Sequence, residues 1–219
     1  DNADLARTLE RLAAGGPDVF YRGEIAERAE ADFAAHGGLL TAADFAAYRV
    51  SLADPIWGDY RGHRIATNPP PSSGLSMLEL LHILEAFDLA ALGHNSVAHV
   101  RLLVEAMKRM TIDKDAHMGD PAYVDVPVAR LISKEHAAMH AASIRAGERA
   151  SVARLDRSQR ETTHISVVDA AGNAVALTHT LGSPSGAITE GLGFIWNGTM
   201  SRFDPRPGRA GSIAPGKRR

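Results

Sequence analysis

The chain has 219 residues, 45% of them hydrophobic and 23% charged, with a formal net charge of −2. This is ordinary globular composition, enough for one sizeable core or for part of a larger domain, and it excludes intrinsic disorder. The near-neutral charge gives no footprint for nucleic acid or an anionic membrane surface, and no apolar run approaches the roughly 20 residues that span a bilayer. The absence of cysteine excludes a thiol nucleophile, thiolate-bound zinc and disulfides, and leaves the compartment open.

Taken in chain order, the first elements read as helices. Leu5, Leu9 and Leu12 recur at helical spacing with Ala6 and Ala13, and Gly15-Gly16-Pro17 ends that segment. Ile25, Ala26, Ala29 and Phe33 begin a second helix that Gly37-Gly38 closes, and both are expected to be amphipathic surface helices. Thr41 and Asp44 stand at capping-box spacing ahead of Phe45 and Tyr48. Residues 60–66 read as a strand running to the Pro69-Pro70-Pro71 break, after which Ser72-Ser73 offers an N-cap for a helix over 75–87.

Val97, Val100, Leu103, Val104, Met107 and Met110 lie on one face of a long helix over 96–117, with the methionines expected to fill core. A further helix is expected over 133–144. The stretch 145–160 interleaves Arg145, Arg149, Arg154, Arg157 and Arg160 with polar residues; it reads as a solvated loop or, beside the Thr162-Thr163 pair, as a flexible arm ahead of a cleavage site. From Thr163 the period changes to two: Thr163-His164-Ile165-Ser166-Val167-Val168 and Ala174-Val175-Ala176-Leu177-Thr178-His179 are two β-patterned runs joined at Gly172-Asn173. Periodicity alone therefore gives a mixed α and β chain, helical first and β-rich in its tail.

The start of the first run carries the chemistry. A threonine hydroxyl is a poor nucleophile at its own pKa, but cleavage before Thr162 would free an α-amine able to act as its base. On pattern alone a Thr-Thr pair at a strand start is usually structural. The run Thr162 to Asp169, followed by Gly172-Asn173-Ala174-Val175-Ala176, resembles the processing site of the γ-glutamyltranspeptidase family. Further segments match in the family's order: Asp4 to Leu9, Gly16 to Gly23, Gly37-Gly38-Leu39-Leu40, Asp44-Phe45, Tyr48-Arg49-Val50, Pro69 to Gly74, and Gly119-Asp120-Pro121 through Val126-Pro127-Val128.

The resemblance implies an α+β N-terminal-nucleophile hydrolase fold, an αββα sandwich that is incomplete here. It makes residues 1–161 the C-terminal part of the large-subunit region and 162–219 the N-terminal part of the small-subunit region, one structural domain across both. The chain is then an internal piece of a zymogen. A carboxylate-binding arginine is expected before Asp1, and oxyanion-hole glycines with a serine pair after Arg219. The expected partners are those complementary segments and a small-molecule amide.

The implied activity is autoprocessing between Glu161 and Thr162, then γ-glutamyl transfer or hydrolysis on glutathione-like amides through an acyl-enzyme. The catalytic residues carried over are Thr162, Thr180, which hydrogen-bonds the nucleophile in the family, and Thr163 beside the new amine. No cofactor or metal is expected. His164 is expected to be structural, because strand alternation need not aim it at substrate.

Two positions depart from the better-known enzymes. Gly182 stands where they place an asparagine that contacts the glutamyl group, and Arg202 stands before Phe203 where they place an acid for the substrate ammonium. Arginine repels an ammonium and attracts a carboxylate, so a donor other than an ordinary γ-glutamyl group is entertained, a dicarboxylic monoamide being one candidate. Asp204 is the nearest acid to Phe203. Gly182, Arg202 and Asp204 are thus the expected substrate-binding positions.

Two other classes compete. A helix-rich binding or structural protein would need no chemistry at Thr162. A metal hydrolase could use His136 and His140, one helical turn apart, with Asp113, Asp115 or His117 as remote ligands; no His-Glu-x-x-His pattern accompanies them, and such pairs are commonly incidental.

Overall fold

The structure, a computed structural model, describes residues 1–152, 163–180 and 184–218. Helices α1 (Ala3–Gly15), α2 (Asp18–Tyr21), α3 (Glu24–Ala35) and α4 (Ala42–Ala47) come first, followed by a hairpin of β1 (Ile56–Tyr60) and β2 (His63–Thr67). Then come α5 (Gly74–Glu85), α6 (Val97–His117), α7 (Val128–Leu131) and α8 (Lys134–Arg145), and finally β3 (Thr163–Val168), β4 (Ala174–His179), β5 (Pro184–Ile188), β6 (Ile195–Asn197) and a 3-10 turn Thr199–Arg202. Among the described residues the strands form three two-stranded antiparallel sheets, β1-β2, β3-β4 and β5-β6. No helix among these residues is long and apolar enough to cross a membrane. The chain divides into two compact units, Asp1–Leu52 with Ser158–Thr199, and Ala53–Arg157 with Met200–Arg219, so each draws on chain from both sides of residue 162.

In the first unit Ala26 and Ala29 of α3 and Phe45 of α4 are buried beneath Phe20, Phe33 and Trp196. Small residues on α3 let the rings approach. Trp196 meets Phe45 and Phe194 edge-on, with centroids 5.7 and 4.9 Å away, the arrangement the ring quadrupoles favour. Its indole N–H donates to Thr189 Oγ1 (2.9 Å), whose hydroxyl donates to Asp32 (2.6 Å). The Thr41–Asp44 capping box forms as the spacing predicts, with Thr41 N–H on Asp44 Oδ2 and Asp44 N–H on Thr41 Oγ1.

The leucine stripe of α1 is only partly covered, Leu5 and Leu12 being half-buried. Leu9 is exposed, and Thr8 is the helix's buried residue, its hydroxyl donating to Leu192 O at 2.9 Å. The Asn2 side chain, which caps the helix by accepting from Leu5 N–H, also donates to Gly193 O. These polar contacts fix which face of α1 turns inward.

In the second unit, α5 is apolar nearly all round and central, as such helices are; Leu75, Leu78, Ile83 and Leu84 are buried. The expected single strand over 60–66 is instead a tight hairpin. Arg61 and Gly62 both take positive φ (49° and 81°), the pair a type I′ turn requires, and arginine at the first position hides the usual Asn-Gly signal. Glu85 Oε1 accepts the Arg61 N–H at 2.6 Å and steadies that conformation. Ser73 is the N-cap residue of α5, but its side chain makes no capping hydrogen bond; Ser96 and Ser133 do cap α6 and α8, accepting from His99 and His136 N–H at 3.1 Å each.

Helix α6 overturns the expectation for its apolar stripe. Val97 is 85% and Met107 50% exposed, with Val100 and Val104 also open, while the buried residues are Leu102, Glu105, Ala106, Arg109 and Asp113. Leu102 and Ala106 join the core with Ile83, Leu84 and Ala137. The acids and arginine on that side are tolerated because each finds partners: Glu105 and Arg109 pair with one another and with Ala150 and Glu148 beyond the end of α8, and Asp113 meets His136 and His140 of α8.

Candidate functional site

The β3-β4 hairpin holds the residues next to the expected processing point. Its register sets Thr163 opposite His179, His164 opposite Thr178 and Ile165 opposite Leu177. The loop closes on Asp169, whose carboxylate accepts from the N–H groups of Ala171 and Asn173 and from the Asn173 amide, at 2.7–2.9 Å. Gly172, at φ 83°, supplies the left-handed turn. These hydrogen bonds from Asn173 and the loop backbone lower the Asp169 pKa.

Alternation gives the hairpin two faces. On one, the His164 ring sits 2.8 Å from Thr178 Oγ1 and 3.0 Å from Ser166 Oγ, a polar row in which the histidine is held by its strand neighbours. On the other lie Ile165, Val167, Val175 and Leu177, all solvent-exposed here. Thr163 and Thr180 are exposed as well, Thr180 directly after the end of β4. The hairpin therefore brings Thr163 and the strand leading to Thr180 to one end. Glu161, Thr162 and Gly182 lie outside the described residues, as does the second half of the arginine-rich arm, residues 153–160.

Arg202 and Asp204 belong to the second unit. Arg202 ends the 3-10 turn. Asp204 accepts from the backbone N–H, Nε and Nη2 of Arg206 at 2.6–2.9 Å. That bidentate pairing holds its carboxyl at about 2, against its burial. The acid is thus engaged within its own loop.

The second unit also gathers a polar cluster from three helices. Asp113 Oδ2 of α6 lies 2.9 Å from Nε2 of both His136 and His140 on α8, and the two Nε2 atoms are 3.2 Å apart. Glu79 of α5 turns Oε1 to within 4.0 and 3.9 Å of those nitrogens. All four ligand atoms fall within 4.8 Å of one another. Glu79 is 1% exposed and its Oε1 has no hydrogen-bond partner. Burial, then hydrogen bonding to and repulsion from Asp113, pushes Glu79 up to about 9. Burial also raises Asp113, but hydrogen bonds from His140, His136 and Glu79 outweigh it and hold that carboxyl well below the usual range.

Of the ligands entertained from sequence, Asp113 thus joins the histidine pair, whereas Asp115 and His117 are not part of the cluster. Sequence reasoning missed Glu79. Its signal was a lone acid inside an apolar-all-round helix, a position that forces burial.

The sequence profile of the family described as Gamma-glutamyltranspeptidase matches residues 1–219. The chain belongs to the γ-glutamyltranspeptidase family. It is 45% identical over 221 residues to the Acylase ACY 1 proenzyme of Pseudomonas sp. (strain SE83), covering 99% of this chain and 40% of that protein. It is 38% identical over 220 residues to the Glutathione hydrolase proenzyme of Escherichia coli (strain K12), covering 94% and 37%. Among solved structures it resembles cephalosporin acylase from Bacillus halodurans, with a TM-score of 0.78 and 29% identity over 98% of this chain and 39% of that one. The chain therefore spans about 40% of the length of the curated relatives it matches.

Proposed function

We propose that this γ-glutamyltranspeptidase-family chain carries the nucleophile of a self-processing amidohydrolase or acyltransferase, cut between Glu161 and Thr162 within an αββα N-terminal-nucleophile fold. The observation that carries the reading is family membership across all 219 residues. In maturation the Thr162 hydroxyl attacks the Glu161 carbonyl, the acyl group shifts from nitrogen to oxygen, and water hydrolyses the ester. Glu161 is left as a carboxylate and Thr162 as a free amine. With an unperturbed pKa of about 8, that amine is partly neutral near pH 7 and can take the hydroxyl proton in turnover. An acyl-enzyme then forms and passes its acyl group to water or an amine, which predicts ping-pong kinetics.

The hairpin register supports this assignment. Thr163 and His179 are partners, and one position further out in sequence stand Thr162 and Thr180, nucleophile and hydrogen-bonding threonine. His164, bonded to Thr178 and Ser166, is left out of the chemistry, and Thr163 supports the amine. Residues 1–161 and 162–219 then form the large- and small-subunit parts. Because both compact units draw on both sides of the cut, processing would leave the pieces held together. Complementary segments of the intact protein would complete the site, where loss of one oxyanion donor alone costs about 100- to 1000-fold in rate.

For the acyl donor we favour a monoamide of a dicarboxylic acid over a γ-glutamyl amide. By its resemblance to the family, Arg202 stands where an acid for the glutamyl ammonium is expected and Gly182 where an asparagine contact is expected, and the 45%-identical relative is named an acylase. A glutathione-like γ-glutamyl donor is the second reading, favoured by relatives named glutathione hydrolase.

The test is the intact mass of the purified parent protein and its Thr162→Ala variant after incubation near neutral pH, then initial rates on glutaryl and γ-glutamyl anilides. Two pieces split before Thr162 in the parent alone, with the glutaryl anilide turned over faster, is the expected result. An uncut parent, or a variant cut equally well, overturns the nucleophile; a γ-glutamyl preference overturns the donor.

A further inference from the structure

We propose that Glu79, Asp113, His136 and His140 form a structural site for a first-row divalent cation, zinc foremost, which pins α5, α6 and α8 together. The first argument is convergence. The three helices contribute two imidazole nitrogens and two carboxylate oxygens, all within 4.8 Å of one another. Tetrahedral zinc with bonds of about 2.0–2.2 Å to such donors separates its ligands by roughly 3.4 Å. Five of the six edges straddle that value, at 2.9 Å from Asp113 to each histidine, 3.2 Å between the histidines and 3.9–4.0 Å from them to Glu79, and the sixth, Glu79 to Asp113, lies within 4.8 Å.

The second argument is what the cluster lacks without a cation. Both Nε2 atoms approach the same oxygen of Asp113 and each other, so three polar atoms of two imidazoles and one carboxylate converge at 2.9–3.2 Å. Glu79 Oε1 meanwhile sits inside the cluster, fully buried and without a hydrogen-bond partner, a state that ordinarily costs about 1–3 kcal/mol. A cation among the four atoms gives every one of them a partner at once. Imidazole with carboxylate is a donor set suited to zinc and its neighbours.

The site closes on four protein donors, with no position kept open for water, and that is the pattern of structural metal sites rather than catalytic ones. None of the four residues lies on the β3-β4 hairpin, so the site does not depend on the threonine chemistry proposed above. Serine N-capping of α8 at Ser133 and burial of α5 hold the donors in place before metal arrives.

The experiment uses the intact protein without a polyhistidine tag. Metal content is measured as purified and after chelation, zinc binding is titrated by calorimetry, and Co2+ replaces zinc as a visible-absorption probe. One zinc per chain, tetrahedral cobalt bands and a Tm that falls on chelation and recovers with zinc are expected. His140→Gln and Asp113→Asn should weaken zinc by at least the about 10- to 100-fold that loss of a supporting residue produces, and Asp115→Asn should leave it unchanged. Because the variants can misfold, X-ray absorption on the zinc-loaded parent supplies a second readout: two imidazole and two oxygen scatterers are expected. The absence of zinc binding by the parent, binding undiminished in folded His140→Gln, or a shell without imidazole would each overturn the proposal.

Discussion

Replacing Glu105 by glutamine removes the anion from the most heavily bonded acid of α6. Glu105 accepts from Arg109 Nη1 (2.7 Å), Lys108 Nζ (2.8 Å) and the Ala150 N–H (2.9 Å), and Arg109 is itself 5% exposed, with Glu148 O as its other remote acceptor. Leaving a buried charge unpaired costs about 3–5 kcal/mol. Glutamine keeps one acceptor, Glu148 O keeps one guanidinium N–H, and Lys108 is partly open to water, so the lower end applies, about 3 kcal/mol. At roughly 3 °C per kcal/mol this lowers Tm by about 10 °C.

The same network fixes a pH signature. Hydrogen bonds from Lys108, the Ala150 N–H and Arg109 lower Glu105 from 4.5 to about 2, so the unfolded chain takes up the proton first as pH falls. The stabilisation is complete above 4.5 and disappears toward 2. Scanning calorimetry of the intact protein and Glu105→Gln across this range should show a wide Tm gap near neutrality that narrows below pH 4.5. A gap of under about 1 kcal/mol at neutral pH, or one that stays constant down to about pH 3, would refute the reasoning.

Gly74→Ala should destabilise the second unit by about 1–3 kcal/mol, read as a lower urea midpoint, because a Cβ there would lie 2.3 Å from Thr67 Oγ1 and 2.5 Å from Asn68 O. Thr8→Val keeps the shape of the side chain but removes the donor to Leu192 O; a loss of about 1–2 kcal/mol in thermal unfolding is expected, and an unchanged Tm would show that the bond does not set the inward face of α1. Asp169→Ala deletes three hydrogen bonds from the β3-β4 loop, so amide exchange in both strands should accelerate about tenfold with little change in α5 or α6.

Much of the local structure was legible because it depends on short-range chemistry. Serines at 96 and 133 and the Thr41–Asp44 pair mark helix starts through hydrogen bonds to the next turn, and the caps form. The run from Thr163 to His179, with Asp169 and Gly172 in its loop, specifies a hairpin whose register follows from alternation. Family identity was legible too, since many short segments keep their order. Arg61-Gly62 was not, because arginine seldom occupies a left-handed turn position and Glu85, which holds it, is remote in sequence.

The sequence by itself determined the family, the helical first part and the hairpin at the proposed nucleophile. Which helix faces turn inward was decided by tertiary structure. Periodicity groups Val97, Val100, Val104 and Met107 on one face of α6 but cannot say whether anything covers it, and the buried side carries Glu105, Arg109 and Asp113. A charge can be buried only beside a partner, and those partners arrive from other segments: Glu148 and Ala150 for the Glu105–Arg109 pair, His136, His140 and Glu79 for Asp113. The spacing of one helix contains His136 and His140, but only the packing of α5 and α6 against it brings in the two acids.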